Sequence, residues 1–401
     1  MVVARPVDFI QRSRRLDETV LDEVVGPGVV ANESVGKANR VGVLDAQRRS
    51  IIPLCSATGL VVDLTLSITL HRRTNHPNCC TLSKRICPMS TLSRMRIGIN
   101  ATTQLGRSDI AGFTAHALAA EADGFSSYWL AEHPVGGFDA LTALAVIGQS
   151  VERMELGTAI IPTYPRHPVT LAGQALTTQA AIRGRLSLGI GMSHKVMMSD
   201  LGIDDDKPIR HLKEYLAALM PMIETGHVDV QGETIGAKAD VIYPVVSPLE
   251  VTVAALGPQS LRVAGRYVAG TNLAWVGPKT IREHIVPTIS QAAAAADRLA
   301  PRIIATLPIC VTDDPGAARQ VLTANTTMYA QLPSYQAMFE REGISETGEL
   351  AMVGSEAEVE ERLAELATAG VTDYGASEFG LSADDRARTR ALLSRLAASS
   401  N

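Results

Sequence analysis

The sequence predicts an α/β protein, a (β/α)8 barrel preceded by an N-terminal extension. From residue 96 onward, short runs rich in β-branched and aromatic residues alternate with amphipathic stretches of helical length, a pattern typical of repeated βα units. The first four predicted strands begin about 30 residues apart, the size of one such unit. This regular alternation favours a closed parallel barrel, although a doubly wound sheet produces the same pattern.

The predicted elements follow from short apolar runs and from capping residues. The eight predicted strands are Arg96–Asn100, Ser126–Ala131, Glu155–Ile160, Arg185–Ile190, Val251–Ala255, Asn272–Trp275, Arg302–Val311 and Val371–Ala376. Asp139 is placed to cap a helix that runs to about Ser150. The other predicted helices are Ser108–Asp123, Pro168–Ile182, Pro208 to about Thr225, Gln259–Val268, Thr280–Leu299, Pro315–Gln331, Ala357–Ala369 and a last one after Ser382. A loop through Gly232 and Gly236 is expected after the helix at Pro208.

Residues 1–94 differ from the barrel, 95–401, in pattern and in charge. They carry 13 Lys and Arg against 8 Asp and Glu, whereas the remainder carries 24 against 34. They show no sustained helical or strand period, so we expect a disordered appendage or a stretch upstream of an authentic start at Met95 or Met89. Four cysteines lie there, Cys55, Cys79, Cys80 and Cys87, but their spacing matches no zinc site, and no metal is predicted.

Composition excludes several classes of partner. An acidic body gives no reason to expect binding to nucleic acid. The stretch from residue 51 to residue 70 has membrane length, but Pro53 and Asp63 interrupt it, so we expect no membrane span. The first residues lack the pattern of a secretory signal, and a cytoplasmic location is the default expectation.

Candidate functional residues follow the strands, because a barrel carries its site at the carboxyl ends of its strands. Strand 1 ends in Asn100, strand 2 in Glu132 and His133, and strand 6 in Trp275. His133 is placed for proton transfer, with Glu132 either raising its pKa or fixing its tautomer. The alternative interpretation is that His133 is simply a polar residue that ends the strand. His116 is interpreted as surface or core filling, and the second-rank candidates His194, His167 and Arg166 lie on loops at the same end.

Two glycine-containing turns indicate cofactor binding. Gly257, Pro258 and Gln259 open a helix directly after a strand, where free backbone N–H groups favour a phosphate; an ordinary βα turn is equally compatible. Gly189 and Gly191 lack the third glycine and the acidic residue of a dinucleotide fingerprint. A nicotinamide-binding Rossmann domain is therefore disfavoured.

Three segments resemble the luciferase-like oxidoreductases, and most closely those that use the deazaflavin coenzyme F420. They are YWLAEH at 128–133, LGTAIIPTYPRHPVTLAGQALTTQAAIRGRLSLGIGMSH at 156–194, and VAALGPQSLRVAGRYVAGTNLAWVGPKT at 253–280. Their order and spacing are more specific than any one of them. The resemblance covers about 95–380, and residues 1–94 have no counterpart in it.

The resemblance implies a barrel with the ring of the cofactor over its mouth. A non-proline cis peptide within Thr158, Ala159 and Ile160 would support the ring, and the turn at Gly257 would bind phosphate. The other residues that we expect near the cofactor are Asn100, Gly189, Gly191, Ser193, Pro258, Gln259, Trp275 and Lys279. Glu132 and His133 would contact the ring and the substrate. A homodimer is possible, as in many members of this family.

The implied chemistry is hydride transfer between reduced F420 and a small molecule. Some deazaflavin dehydrogenases carry a glutamate after the Gly-x-Gly of strand 4, where this sequence has Met192. This difference disfavours a sugar phosphate and favours an apolar, unsaturated substrate. Two alternatives stay open: an FMN-dependent monooxygenase of the same fold, and a deazaflavin-binding protein without catalytic activity.

Overall fold

The computed structural model describes residues 91–133, 136–204, 206–241 and 248–400. The chain divides into two units, residues 1–82 and 83–401. The first unit, with most of the predicted extension, lies outside the described residues, and so do all four cysteines of the extension.

A closed ring of eight parallel strands forms the core of the second unit, which confirms the predicted barrel. The strands are β1 (Arg96–Asn100), β2 (Ser127–Leu130), β3 (Glu155–Thr158) continued by β4 (Ile161–Pro162), β5 (Leu186–Gly191), β8 (Glu250–Val253), β9 (Gly270–Ala274), β10 (Arg302–Val311) and β12 (Asp373–Glu378). Strand β1 pairs with both β2 and β12, and this pairing closes the ring.

Helices surround the barrel and cover its strands. They are α1 (Ile110–Ala122), α2 (Ala140–Ile147), α3 (Pro168–Ala181), α4 (Lys195–Asp200), α5 (Pro208–Glu224), α6 (Pro258–Tyr267), α7 (Pro278–Thr280), α8 (Val286–Ala294), α9 (Pro315–Asn325), α10 (Thr327–Gln331), α11 (Pro333–Glu342), α12 (Glu356–Thr368) and α13 (Ala383–Ser400). Asp139 caps α2 as predicted, since its carboxylate accepts a hydrogen bond from the Thr142 amide at 2.7 Å. No helix in the described ranges is long and apolar enough to cross a membrane.

Two predicted segments differ from the structure, and one strand was not predicted. The loop predicted through Gly232 and Gly236 is an antiparallel hairpin, β6 (His227–Gln231) with β7 (Gly236–Asp240). The helix predicted over 315–331 is broken at Thr326, and Pro333 then begins α11. A short strand, β11 (Met352–Gly354), adds to β10 outside the ring. These segments lie in insertions between βα units, where the period of the barrel gives no guide.

A short turn packs against the barrel just before residue 95, where the predicted barrel begins. A 3-10 turn, Thr91–Arg94, precedes β1, and Leu92 within it is only 9% exposed in the main core. The turn contacts α12 and α13. The first residues of the described barrel therefore contribute to its packing.

Buried charges close the amino-terminal end of the barrel. Arg302 contacts Glu250 and donates hydrogen bonds to Glu155 at 2.9 Å and to Asp373 at 2.8 Å. Asp373 is almost fully buried and also contacts Arg96. The facing carboxylates raise the pKa of Arg302, and Arg302 lowers the pKa of Asp373 against the effect of burial. This network stabilises the end of the barrel opposite the candidate site.

Candidate active site

A cavity of about 280 Å³ opens at the carboxyl ends of the barrel strands. Its lining comes from segments that follow different strands, including His133 after β2, Ile160 after β3, His194 after β5 and Gly257 after β8. Trp129 fills the barrel interior, where its indole lies over Gly157 and donates a hydrogen bond to Ser127 at 2.9 Å. Because the interior is filled, any ligand lies at the mouth rather than inside the barrel.

The peptide bond between Ala159 and Ile160 is cis and forms part of the cavity wall. The position of this bond is as expected from the sequence. Hydrogen bonds from the Ala159 amide to the Leu130 carbonyl, 2.7 Å, and from the Glu132 amide to the Ile160 carbonyl, 3.2 Å, link this segment to the end of β2. The segment is thus part of the barrel and presents backbone and small apolar groups to the cavity.

Glu132 lines the cavity, but its carboxylate is held by groups other than His133. It contacts the guanidinium of Arg166 and accepts a hydrogen bond from the Ala140 amide at 3.1 Å. Arg166 also contacts Asp139, and the two carboxylates raise its pKa. Glu132 therefore joins the β2 loop to the start of α2, and it neither raises the pKa of His133 nor orients its ring.

Two histidines line the cavity. They are His133 and His194, and neither side chain has a hydrogen-bond partner among the described residues. Burial lowers the pKa of both rings, and the charge of His133 lowers the pKa of His194 further. Both imidazoles are therefore mainly neutral at pH 7. In each neutral ring, one nitrogen carries a hydrogen and donates a hydrogen bond, and the other accepts one.

The turn at Gly257 leaves open space above the first amides of α6. Gly257 has an ordinary extended backbone, with φ −77° and ψ 156°, and no side chain caps the helix. A Cβ at this position would have only Ser260 Oγ nearby, at 3.8 Å. Neither backbone strain nor packing within the described protein requires glycine here. The free amides and the open space fit an anionic group that approaches closely.

Several residues predicted near the cofactor serve the barrel instead of the cavity. Asn100 caps the short turn after β1 and donates a hydrogen bond to Thr306 at 3.2 Å. Thr158 is fully buried: its hydroxyl donates a hydrogen bond to the Gly189 carbonyl at 2.7 Å and accepts one from the Gly189 amide at 2.8 Å. Gly191 adjoins Ile160 and lies in β5. None of these four predicted residues lines the cavity, whereas Ser193 does.

The remaining predicted residues lie at the edge of the site. Pro258 and Gln259 are exposed in the first turn of α6. Trp275 packs beside Tyr329, with ring centroids 5.2 Å apart, and so supports the cavity wall from behind. Lys279 is exposed and does not line the cavity; its backbone amide donates a hydrogen bond to Glu342 at 3.1 Å. The second-rank candidate His167 caps α3.

Sequence interpretation missed the aromatic residues that α10 and α11 bring to the cavity. Tyr329 and Tyr335 line it, and His194 lies beside both, with ring centroids 6.3 Å and 5.8 Å away. Glu342 at the end of α11 accepts hydrogen bonds from the amides of Lys279 and Thr280, which ties this helix to the barrel. A signal was present, because aromatic residues make up only 4% of the chain and this segment concentrates them.

The cavity contains no cationic side chain among the described residues, since neither lysine nor arginine lines it. Its lining is mainly apolar or aromatic and includes Met192 and Met197. Within the described ranges, no group of three or more His, Cys, Asp or Glu side chains could hold a metal ion. The described lining therefore offers a charged ligand no side-chain cation, and it combines apolar and aromatic walls with neutral polar groups such as Ser193, Ser260 and Asn272.

Comparison with known proteins identifies related sequences and folds. A family model described as luciferase-like monooxygenase matches residues 90–373. An F420-dependent glucose-6-phosphate dehydrogenase of Beutenbergia cavernae is 29% identical over 56% of this chain and 70% of its own length. The F420-dependent tetrahydromethanopterin reductase of Methanopyrus kandleri has the same fold, with a TM-score of 0.64 at 20% identity over 75% of this chain and 98% of that protein. The oxygenating constituent of a diketocamphane monooxygenase from Pseudomonas putida, in complex with FMN, gives 0.61 at 17% identity over 76% and 98%.

Proposed function

The chain belongs to the luciferase-like monooxygenase family, as the sequence motifs indicated, and on that premise we propose that it is a coenzyme F420-dependent oxidoreductase. Its substrate is a small, neutral, largely apolar unsaturated molecule. The observation that carries the proposal is the cavity at the carboxyl ends of the strands, bounded by Ala159 and Ile160 and by the uncapped start of α6 at Gly257.

The residues present fit a phosphate-bearing deazaflavin. Gly257 leaves space where a Cβ would obstruct an approaching group, and the amides at the start of α6 are free to bind a phosphate. Ala159 and Ile160 offer a flat, apolar surface for a ring system. When bound, reduced F420 supplies a hydride.

His133 is the residue that we propose to exchange a proton with the substrate. It lines the cavity, and its ring makes no hydrogen bond to the described part of the chain. Burial lowers its pKa, so the neutral ring predominates at pH 7 and accepts a proton when the substrate is oxidised. In the reducing direction the protonated ring is a stronger acid than an exposed histidine. Glu132 has a positioning role through Arg166 and α2 rather than a chemical one.

An apolar substrate is favoured over a sugar phosphate. Binding a phosphate in a partly buried site requires cations or free amides. No lysine or arginine among the described residues lines the cavity, and the amides at Gly257 are assigned to the cofactor. Met192 occupies the position after Gly191 and presents a thioether to the same space. The glucose 6-phosphate of the named relative is therefore not the expected substrate.

The cofactor is proposed from the relatives, whose names specify F420. The structural neighbour that holds FMN favours a second candidate, an FMN-dependent monooxygenase, because both cofactors carry a tricyclic ring and a phosphate. A deazaflavin-binding protein without turnover is the third candidate. The three candidate functions differ in the cofactor bound and in whether turnover occurs, so one set of measurements can distinguish them.

The test is titration of the full chain with oxidised F420 and with FMN, with and without oxygen, followed by absorbance and fluorescence. We expect saturable F420 binding in preference to FMN, and oxidation of reduced F420 that requires an enone or ketone acceptor but not oxygen. Preferential FMN binding with oxygen consumption would establish the monooxygenase. Tight F420 binding without oxidation by any acceptor tested would indicate the non-catalytic protein.

A further inference from the structure

Tyr335 lines the cavity, and its hydroxyl makes no hydrogen bond to the described residues. The residue is only 8% exposed. Other buried tyrosines are hydrogen-bonded: Tyr374 donates to the Leu307 carbonyl at 2.8 Å, and Tyr215 donates to the Arg166 carbonyl at 3.0 Å. The Tyr335 oxygen is not among the fully buried side-chain oxygens that lack a partner in the described residues, so it is open to the cavity. A phenol hydroxyl in a cavity wall, with no partner in the described protein, is available to donate a hydrogen bond to a ligand.

His194 stands beside Tyr335 and has the same property. The two ring centroids are 5.8 Å apart, and the His194 side chain has no hydrogen-bond partner within the described ranges. A phenol and a neutral imidazole each offer one N–H or O–H donor. Two adjacent donors on one wall can point to a single acceptor atom, and a carbonyl oxygen has two lone pairs for them.

The surroundings of this pair select the rest of the ligand. Tyr329 lines the cavity next to Tyr335, with ring centroids 5.5 Å apart, and Trp275 packs behind Tyr329 at 5.2 Å. Aromatic side chains in the wall favour an apolar ligand body. With no lysine or arginine among the described lining residues, a carboxylate or phosphate here would be a buried charge without a counter-ion. The acceptor is therefore neutral.

We propose that Tyr335 and His194 form a polar subsite that binds the carbonyl oxygen of a neutral, planar, otherwise apolar substrate, an inference that rests on the proposed function. The hydroxyl is held on a fixed element, because Glu342 ties the end of α11 to the amides of Lys279 and Thr280. The subsite thus selects ketones, enones and related carbonyl compounds over hydrocarbons of the same shape.

The test compares two probes of equal shape on the full chain, with and without oxidised F420. 2-Acetylnaphthalene carries the carbonyl, and 2-isopropenylnaphthalene replaces it by a methylene group. Dissociation constants are measured by equilibrium dialysis for the wild type, Tyr335→Phe and His194→Leu. Tyr374→Phe is the matched control, since it also removes a buried phenol hydroxyl but lies outside the cavity.

We expect each of the two subsite substitutions to weaken ketone binding about 3–10-fold, the effect of one lost hydrogen bond, with hydrocarbon binding changed less than twofold. Tyr374→Phe should alter neither. The infrared C=O band of the bound ketone should move to higher wavenumber in Tyr335→Phe. Equal losses for both probes, or an unchanged ketone affinity and C=O band, would overturn the inference. If the wild type does not bind F420, the proposed function is refuted instead. The two failures can be distinguished because the two probes are also compared without F420.

Discussion

Replacing Gly257 by valine should separate cofactor binding from folding. The extended backbone at this position suits a branched residue, and the nearest atom to a new Cβ is 3.8 Å away. Two effects on folding oppose each other. Replacing glycine reduces the conformational entropy of the unfolded chain, which stabilises the folded protein by about 0.4–1 kcal/mol. Valine, however, is a poorer N-cap than glycine and destabilises the helix by a similar amount. We therefore expect the free energy of unfolding to change by less than about 0.5 kcal/mol.

Cofactor binding should respond quite differently. The valine side chain occupies the space over the first amides of α6, which a phosphate must approach to about 3 Å to accept hydrogen bonds. We expect the dissociation constant of F420 to rise at least tenfold, about 1.4 kcal/mol. The assay is fluorescence titration with oxidised F420, with urea unfolding measured on the same preparations.

Gly316→Val provides the matched control for this prediction. Gly316 lies in the first turn of α9, outside the cavity, and a Cβ there is 3.5 Å from Asp314 Oδ1, an ordinary contact. Its substitution should leave F420 affinity unchanged. If Gly257→Val binds F420 normally while it remains folded, the turn is not part of the cofactor site and the argument from open space is refuted.

Four further predictions concern turnover and stability. His133→Ala should lower the single-turnover rate about 10²-fold or more while F420 affinity changes by less than about 1.4 kcal/mol; stopped-flow oxidation of reduced F420 measures both, and near-normal turnover would move the search to His194. Burial lowers the pKa of His211 to about 4, so the stability that its neutral ring contributes is lost as the pH falls through 6.5 towards 4. Between pH 7 and pH 5 the free energy of unfolding in urea should therefore fall by about 2 kcal/mol more for the wild type than for His211→Gln. Parallel pH profiles for the two proteins would contradict this. Arg302→Met should destabilise by about 3 kcal/mol because Asp373 stays buried with Arg96 as its remaining partner, and a change below about 1 kcal/mol in chemical unfolding would rule out a stabilising network. A chain starting at Met95 should be about 1.5–3 kcal/mol less stable than one starting at Met89, since it lacks the buried Leu92; equal unfolding midpoints would show that this turn is dispensable.

The barrel was predictable because its strands repeat at a regular interval and end in recognisable turns. Predicted and observed bounds of Arg96–Asn100 and Arg302–Val311 coincide, and most other elements shift by one or two residues. The insertions were less predictable. The hairpin at 227–240 alternates buried Val228 with exposed neighbours, but its two glycines suggested a loop. The break before α11 depends on Pro333, whose effect on a helical pattern is local and easily overlooked.

The candidate site was predicted in outline but not in the orientation of its side chains. Sequence identifies which residues follow each strand, and His133, Ser193 and Gly257 do line the cavity. It does not reveal the direction in which a side chain projects. Thr158 turns towards β5 and bridges the strands, although its neighbour Ala159 faces the cavity. Tyr335 was missed because it reaches the cavity from an insertion that joins the site only in three dimensions.

Glu132 illustrates why adjacency along the chain is a poor guide to chemical partnership. The dipeptide Glu132–His133 suggested a carboxylate acting on an imidazole. Arg166, 34 residues further along the chain, instead donates hydrogen bonds to both oxygens of the Glu132 carboxylate. A carboxylate in a half-buried loop is stabilised far more by a guanidinium and a helix amide than by a neutral histidine. Arg166 pairs with Glu132 and also with Asp139, so the Glu132 carboxylate is already engaged and is not available to charge a histidine in the cavity. The histidines then remain neutral, and this neutrality is the property that the proposed apolar carbonyl substrate requires.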